Sequence, residues 1–154
     1  FTKELIALTA EEPIVFTLAN PTPELFPEEV REVKPNAIIG TGRSDFPNQV
    51  NNVLGFPFIF RGALDVQTKK INMEMKIAAA KAIAELAKEP LTNDLKVLFG
   101  DLKYGRDYII PAPFDKRLMV EVSSAVANAA YETGVARVKS FDLAAYREKL
   151  SHMV

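Results

Sequence analysis

The sequence predicts an α/β fold: part of a parallel sheet, followed by C-terminal helices. Three observations predict it. Ile14 to Ala19 is a continuous apolar, partly β-branched run, the signature of a strand buried on both faces, and Ala37 to Thr41 is a second short buried strand. Between them Pro27-Glu28-Glu29 opens a helix, with proline in the first turn and acids at the positive end of the dipole. From Pro57 the pattern is helical almost to the end. Strand, helix and strand within about thirty residues make the βαβ unit of a parallel sheet.

Each element has its own signals. Thr2 can cap a first helix carrying Leu5, Ile6 and Leu8, which Pro13 breaks. Asn20-Pro21-Thr22-Pro23 stops the first strand, and Pro35-Asn36 ends the helix after it. Pro57 suits the first helical position, with Phe58, Ile59, Ala63 and Val66 following. Ile71, Met75, Ala78, Ala79, Ala82, Ile83 and Leu86 form an apolar stripe on a long helix that Pro90 stops. Leu95 to Pro113 reads as loop, with Tyr108-Ile109-Ile110 a short extended piece. Asp115 caps a helix to about Thr133, and Gly134 suits the position just past its end. Asp142 caps a last helix through Leu150.

Composition bounds the function. The 154 residues are 48% hydrophobic, which is enough for one domain with a core. Nineteen basic residues against twenty acidic ones give a net charge of −1, so nothing points to nucleic acid or an anionic membrane as partner. The absence of cysteine excludes a thiolate nucleophile, a disulfide and a Cys-ligated zinc, and fits a reducing, cytoplasmic setting. No apolar run approaches the ~20 residues needed to span a bilayer, and no signal-peptide pattern is visible. Two strands are too few for a self-contained sheet. The chain also opens on Phe1, directly at a helical pattern. Both features lead us to expect a piece of a longer protein, with further strands upstream and apolar surface exposed in their absence.

Strand direction then locates a site. In an open parallel sheet, ligands bind in the crevice beyond the carboxyl ends of the strands. The segments Asn20 to Pro23 and Gly40 to Asn52 both follow strands. If the strands are neighbours, Asn20, Asn51 and Asn52 line one crevice. An asparagine amide offers donors and an acceptor without charge, so it can orient a carboxylate or carboxamide without the cost of burying an ion. Plainer roles exist for each piece. Asn20-Pro21 can be a simple turn, Asn51 and Asn52 can satisfy loop backbone, and Arg43 and Asp45 can pair at the surface. Gly40-Thr41-Gly42 is a lone GxG, not a dinucleotide fingerprint. His152, Glu28-Glu29 and Lys69-Lys70 read as solvated.

The wording is more specific than these fragments. "LANPTPE" at 18–24, "AIIGTGRSDFPNQVNN" at 37–52 and "VLGFPFIFRGALDV" at 53–66 resemble the bacterial malic enzymes. "INMEMKIAAAKAIAELA" at 71–87, "YIIPAPFDKRL" at 108–118 and "ETGVAR" at 132–137 continue the likeness. It covers nearly the whole chain, less distinctly at both ends and from Leu91 to Lys103. Phe58 departs from it, standing where the family often has glycine.

The resemblance implies the back half of a Rossmann-like NAD(P)-binding domain over residues 1–113, with C-terminal helices packing on it over 114–154. It implies oxidative decarboxylation of L-malate to pyruvate and CO2, with NAD or NADP and a Mg or Mn ion. Asn20 takes the place of the asparagine beside substrate and nicotinamide. Asn51 and Asn52 take those of the malate-contacting pair. The family's tyrosine acid, lysine base, metal ligands and glycine-rich turn lie upstream of the matching region; Lys103, Tyr104 and Tyr108 do not match them. The expectation is a catalytically inert isolated chain that works with the N-terminal remainder of the enzyme, commonly in a homo-oligomer. A non-catalytic nucleotide-binding or regulatory module of the same family is the alternative. Fold logic alone also admits another α/β dehydrogenase or ligand-binding domain.

Overall fold

The structure is a computed structural model describing residues 1–154. In chain order it contains α1 (Lys3–Ala7), β1 (Ile14–Thr17), α2 (Pro27–Val33), β2 (Ile38–Thr41), a 3-10 turn (Asn52–Leu54), α3 (Phe56–Asp65), α4 (Met73–Leu86), α5 (Asn93–Phe99), α6 (Arg117–Glu132) and α7 (Leu143–Ser151). Contacts group it into two compact units, Phe1–Asn51 with Ala87–Pro113, and Asn52–Leu86 with Phe114–Val154.

In the first unit β1 and β2 pair in parallel, from Ile14↔Ile38 to Thr17↔Thr41, with α2 in the connection. The local chemistry follows the sequence. Thr2 Oγ1 accepts from the Leu5 N–H at 3.4 Å to start α1. Pro27 sits in the first turn of α2, and the Glu29 carboxylate accepts from the Phe26 N–H at 2.9 Å. One face of the strand pair packs with the helices: Ile6, Val15, Leu25, Val30, Ala37 and Ile39 form one buried cluster. Each of the larger side chains, the isoleucines, valines and leucine, contributes on the order of 1.5–3 kcal/mol on removal from water.

Two expectations are corrected here. β1 is not buried on both faces: Val15 and Thr17 point inward, while Ile14 is 67% and Phe16 43% exposed. The second face of the sheet is only partly covered at those two positions, so an unbroken apolar run alternates in burial. The segment from Leu95 to Pro113 is not all loop either. Asn93–Phe99 is helical, entered at Thr92 and left at Gly100, whose φ of +77° suits glycine. Only Leu95 of this helix is buried; it joins Leu91, Tyr108 and Ala112 in a second cluster. Leu95 and Phe99 stand one turn apart and pack in that cluster, while Val97 and Leu98 are exposed, so the apolar face of this seven-residue helix is only one turn long. Tyr108 forms a single bridge to Gly105, not a strand.

In the second unit α6 packs on α3, α4 and α7. The helical pattern from Pro57 divides at Gln67, whose φ of +54° cannot continue α3. The Arg137 N–H then donates to the Val66 carbonyl at 3.1 Å. Asn72 Oδ1 accepts from the Met75 N–H at 3.0 Å and starts α4. Asp115 acts one residue earlier than a regular cap: Lys116 holds the cap position, and Asp115 Oδ1 accepts from the Arg117 N–H at 3.0 Å. Gly134, at φ +69°, follows α6 as expected, and Asp142 Oδ1 caps α7 through the Ala145 N–H at 3.1 Å.

Two contacts in this unit generate tests. A Cβ added at Gly62 would lie 2.4 Å from the Ser123 carbonyl oxygen and 3.0 Å from Val126 Cβ. Gly62 therefore lets α3 and α6 approach closely, and Gly62→Ala forces them apart. Overpacking of this kind costs about 1–3 kcal/mol; denaturant unfolding should show that loss, although alanine is the better helix former. Separately, the Tyr146 hydroxyl donates to Asp65 Oδ2 at 2.8 Å, and Arg61 Nε donates to the same oxygen at 2.7 Å. Burial first, and then the Asp65 carboxylate, raise the phenol above its ordinary value near 10. A raised native value gives stability that is full below pH 10 and is lost as pH climbs past it. Tyr146→Phe should cost about 1 kcal/mol at neutral pH and make the alkaline loss of stability shallower than in the parent.

Candidate functional site

The register of the strand pair decides where the site can be. Thr17 and Thr41 end β1 and β2 side by side, both fully buried. Because the strands run parallel, both following segments leave from the same end. After β1, the Ala19 N–H donates to the Glu24 carboxylate at 3.1 Å, closing the loop around Asn20 to Pro23. That carboxyl is held below the usual range by its own backbone N–H and then by that of Ala19. Asn20 lies in this loop and is exposed, and the Asn20–Pro21 peptide is cis.

After β2 the chain makes an excursion and returns. The Thr41 N–H donates to the Asn48 carbonyl at 3.3 Å, and the Val50 N–H donates to the Thr41 carbonyl at 2.7 Å. Asn51, the next residue, is thereby held at the end of β2 and is exposed. Asn52 follows it in the chain and opens the 3-10 turn, its carbonyl accepting from the Gly55 N–H at 3.0 Å.

The two loops of the first unit are joined by Arg43. Its Nε and Nη2 donate to Asp45 at 2.8 and 2.6 Å, and its Nη1 donates to the Pro21 carbonyl at 3.4 Å. The guanidinium also lies 5.6 Å from the centre of the Phe46 ring. The Arg43–Asp45 surface pair read from the sequence is present, and it holds Asp45 below the usual carboxylate range. Its contact with Pro21 was not legible. Gly40 has a packing role: a Cβ there would meet Phe16 Cδ1 at 2.9 Å and Val50 Cγ2 at 3.2 Å.

One residue that sequence reasoning missed is Asn48. It is 5% exposed and takes φ +55°. Its Nδ2 donates to the carbonyls of Ile39 at 2.9 Å and Arg106 at 2.8 Å, while its Oδ1 accepts from the Ile109 N–H at 2.8 Å. Pro47-Asn48 reads as an ordinary turn; nothing local indicates partners 58 and 61 residues away.

Uncharged amides beside parallel strand ends suit a carboxylate or a carboxamide. No group of three or more His, Asp or Glu side chains is placed to hold a metal ion. A hollow of about 410 Å³ is lined by Leu91, Lys96, Leu102, Lys103 and Tyr104. Another, of about 330 Å³, lies between Phe56, Ile59, Phe60 and Ile71. Neither is lined by Asn20, Asn51 or Asn52. No helix is long and apolar enough to cross a membrane.

Residues 1–108 match the family described as "Malic enzyme, NAD binding domain". This chain belongs to the malic enzyme family. A probable NADP-dependent malic enzyme of Rickettsia prowazekii is 54% identical over 151 residues, which are 97% of this chain and 20% of that relative. An NAD-dependent malic enzyme of Rhizobium meliloti is also 54% identical, over 98% of this chain and 20% of its own length. The solved malic enzyme of Pyrococcus horikoshii superimposes with a TM-score of 0.83 at 41% identity, covering 99% of this chain and 31% of that one. The two-stranded parallel sheet with its helices therefore has the architecture of part of a malic enzyme's NAD-binding domain. The chain spans between about a fifth and a third of the length of the curated relatives it matches.

The joint between the loops is testable in isolation from chemistry. Arg43→Gln removes the fork on Asp45 and the bond to Pro21. Amide exchange should quicken at residues 19–24 and 43–47 while the melting midpoint stays put, because an exposed ion pair contributes little to global stability.

Proposed function

We propose that this chain is the part of a malic enzyme that orients L-malate at the nicotinamide ring, in oxidative decarboxylation to pyruvate and CO2 with NAD or NADP. The observation that carries the reading is the parallel register ending at Thr17 and Thr41, from which the segments bearing Asn20 and Asn51 leave on the same side. The family match over residues 1–108 supports it.

In this reading Asn51 and Asn52 donate amide hydrogens to a malate carboxylate, and Asn20 lies against both substrate and nicotinamide. The coenzyme, when bound, takes hydride from malate C2. The amides stay neutral throughout, so they hold the diacid without adding a charge that must be desolvated. They fix the angle of C2, and a fixed angle is what positioning contributes to a rate. This chain supplies no ligand set for the Mg or Mn ion and no candidate acid or base. Those come from the remainder of the enzyme, and the isolated chain is inert. Relatives described as NADP- and NAD-dependent are equally identical to it, which supports coenzyme choice being set elsewhere.

Asn51→Ala in the full-length protein tests the role. Hydrogen bonds to charged groups are worth about 1.5–3 kcal/mol, so kcat/KM for malate should fall roughly 10- to 100-fold. The KM for coenzyme and the melting midpoint should hold. Unchanged malate kinetics would remove Asn51 from the site. Malate turnover by the 154-residue chain alone, given coenzyme and Mg or Mn, would refute the division of labour.

A further inference from the structure

Asn48 stands three residues before Asn51 and does something different with the same side chain. Both Nδ2 hydrogens are committed, to the Ile39 and Arg106 carbonyls, and Oδ1 is committed to the Ile109 N–H. No donor capacity is left for a ligand, and the residue is 5% exposed. Its backbone carbonyl accepts from the Thr41 N–H at 3.3 Å, and two residues later the Val50 N–H returns to the Thr41 carbonyl at 2.7 Å. The excursion between β2 and Asn51 is thus fastened at its return point, from the side by a strand carbonyl and from below by the turn at 106–109. The φ of +55° is one that asparagine tolerates better than other residues bearing a Cβ.

We propose that Asn48 is a positioning residue: its side chain sets the place and direction from which Asn51 reaches the substrate carboxylate. The inference rests on the functional reading above and goes beyond it. A buried asparagine that bonds three backbone groups in three segments can be purely structural. The positioning role differs in what it predicts, because Asn51 leaves the strand end one residue beyond the fastened Val50. Freeing the return point lets the amide wander over the substrate without unfolding the core clusters.

Asn48→Gly in the full-length protein separates these outcomes. Glycine keeps the left-handed backbone and removes all three side-chain bonds. The expected result is faster exchange of the Val50 amide, a malate KM raised about tenfold or more, and a coenzyme KM within about twofold of the parent. Asn48→Ser, whose hydroxyl is a bond shorter than the amide that makes the three contacts, should raise the malate KM in the same direction; it carries the test if the glycine variant does not fold. Asn51→Ala is measured alongside. If Asn51→Ala raises the malate KM and the Asn48 variants do not, the positioning role is overturned and the functional reading stands. If the Val50 amide exchanges no faster in either Asn48 variant, the role is overturned regardless of kinetics. If Asn51→Ala leaves malate kcat/KM unchanged, the functional reading fails and the inference falls with it.

Discussion

Thr17 faces Thr41 across a parallel pair, and that register settles which end of the sheet both subsequent loops occupy. In an antiparallel pair the segments after the two strands would emerge at opposite ends. Parallel pairing needs a connection that carries the chain back, and α2 supplies it. Its buried Pro27 and Val30 hold it in the unit, the latter in the cluster with Val15 and Ile39. A packing decision made by apolar side chains therefore places Asn20 and Asn51 before any polar chemistry is considered. Arg43 adds a polar tie between the two loops, from the segment after β2 to the carbonyl of Pro21.

Asparagine appears at this end in two opposed uses. Asn48 is buried, with its amide spent on backbone carbonyls and a backbone N–H. Asn20 and Asn51 are exposed. The same amide that satisfies backbone in the interior can orient a carboxylate at the rim, because in both places it supplies directional donors without a charge. A charged side chain in Asn48's position would face two carbonyls and a poor dielectric, and could not serve. In the proposed enzyme the neutral rim leaves charge compensation to groups contributed by the rest of the molecule.

The parts of this that could be read in the sequence are those governed by local rules. Thr2, Pro27, Gly134 and Asp142 act where short-range capping and turn chemistry put them. The two strands and the helix between them follow from apolar runs and breakers. Burial of β1 could not be read, since an unbroken run of Ile14, Val15 and Phe16 does not say which face finds a neighbour. The helix at Asn93–Phe99 was missed because it is only seven residues long, and one turn between Leu95 and Phe99 is a short sample of the periodicity that marks helices. Asn48 was hidden for another reason. Its role is created by partners far along the chain, and three asparagines in five residues look alike until the backbone groups around them are placed. The Gly62 approach to Ser123 is likewise a tertiary fact with no local sign.

A crystal structure of the full-length protein with malate and coenzyme bound tests the central claim most directly. The account predicts the Asn51 amide nitrogen within hydrogen-bond reach, about 2.7–3.2 Å, of a malate carboxylate oxygen, with Asn20 beside the nicotinamide, at the carboxyl ends of β1 and β2. Malate held elsewhere, with those strand ends facing only solvent, would contradict it.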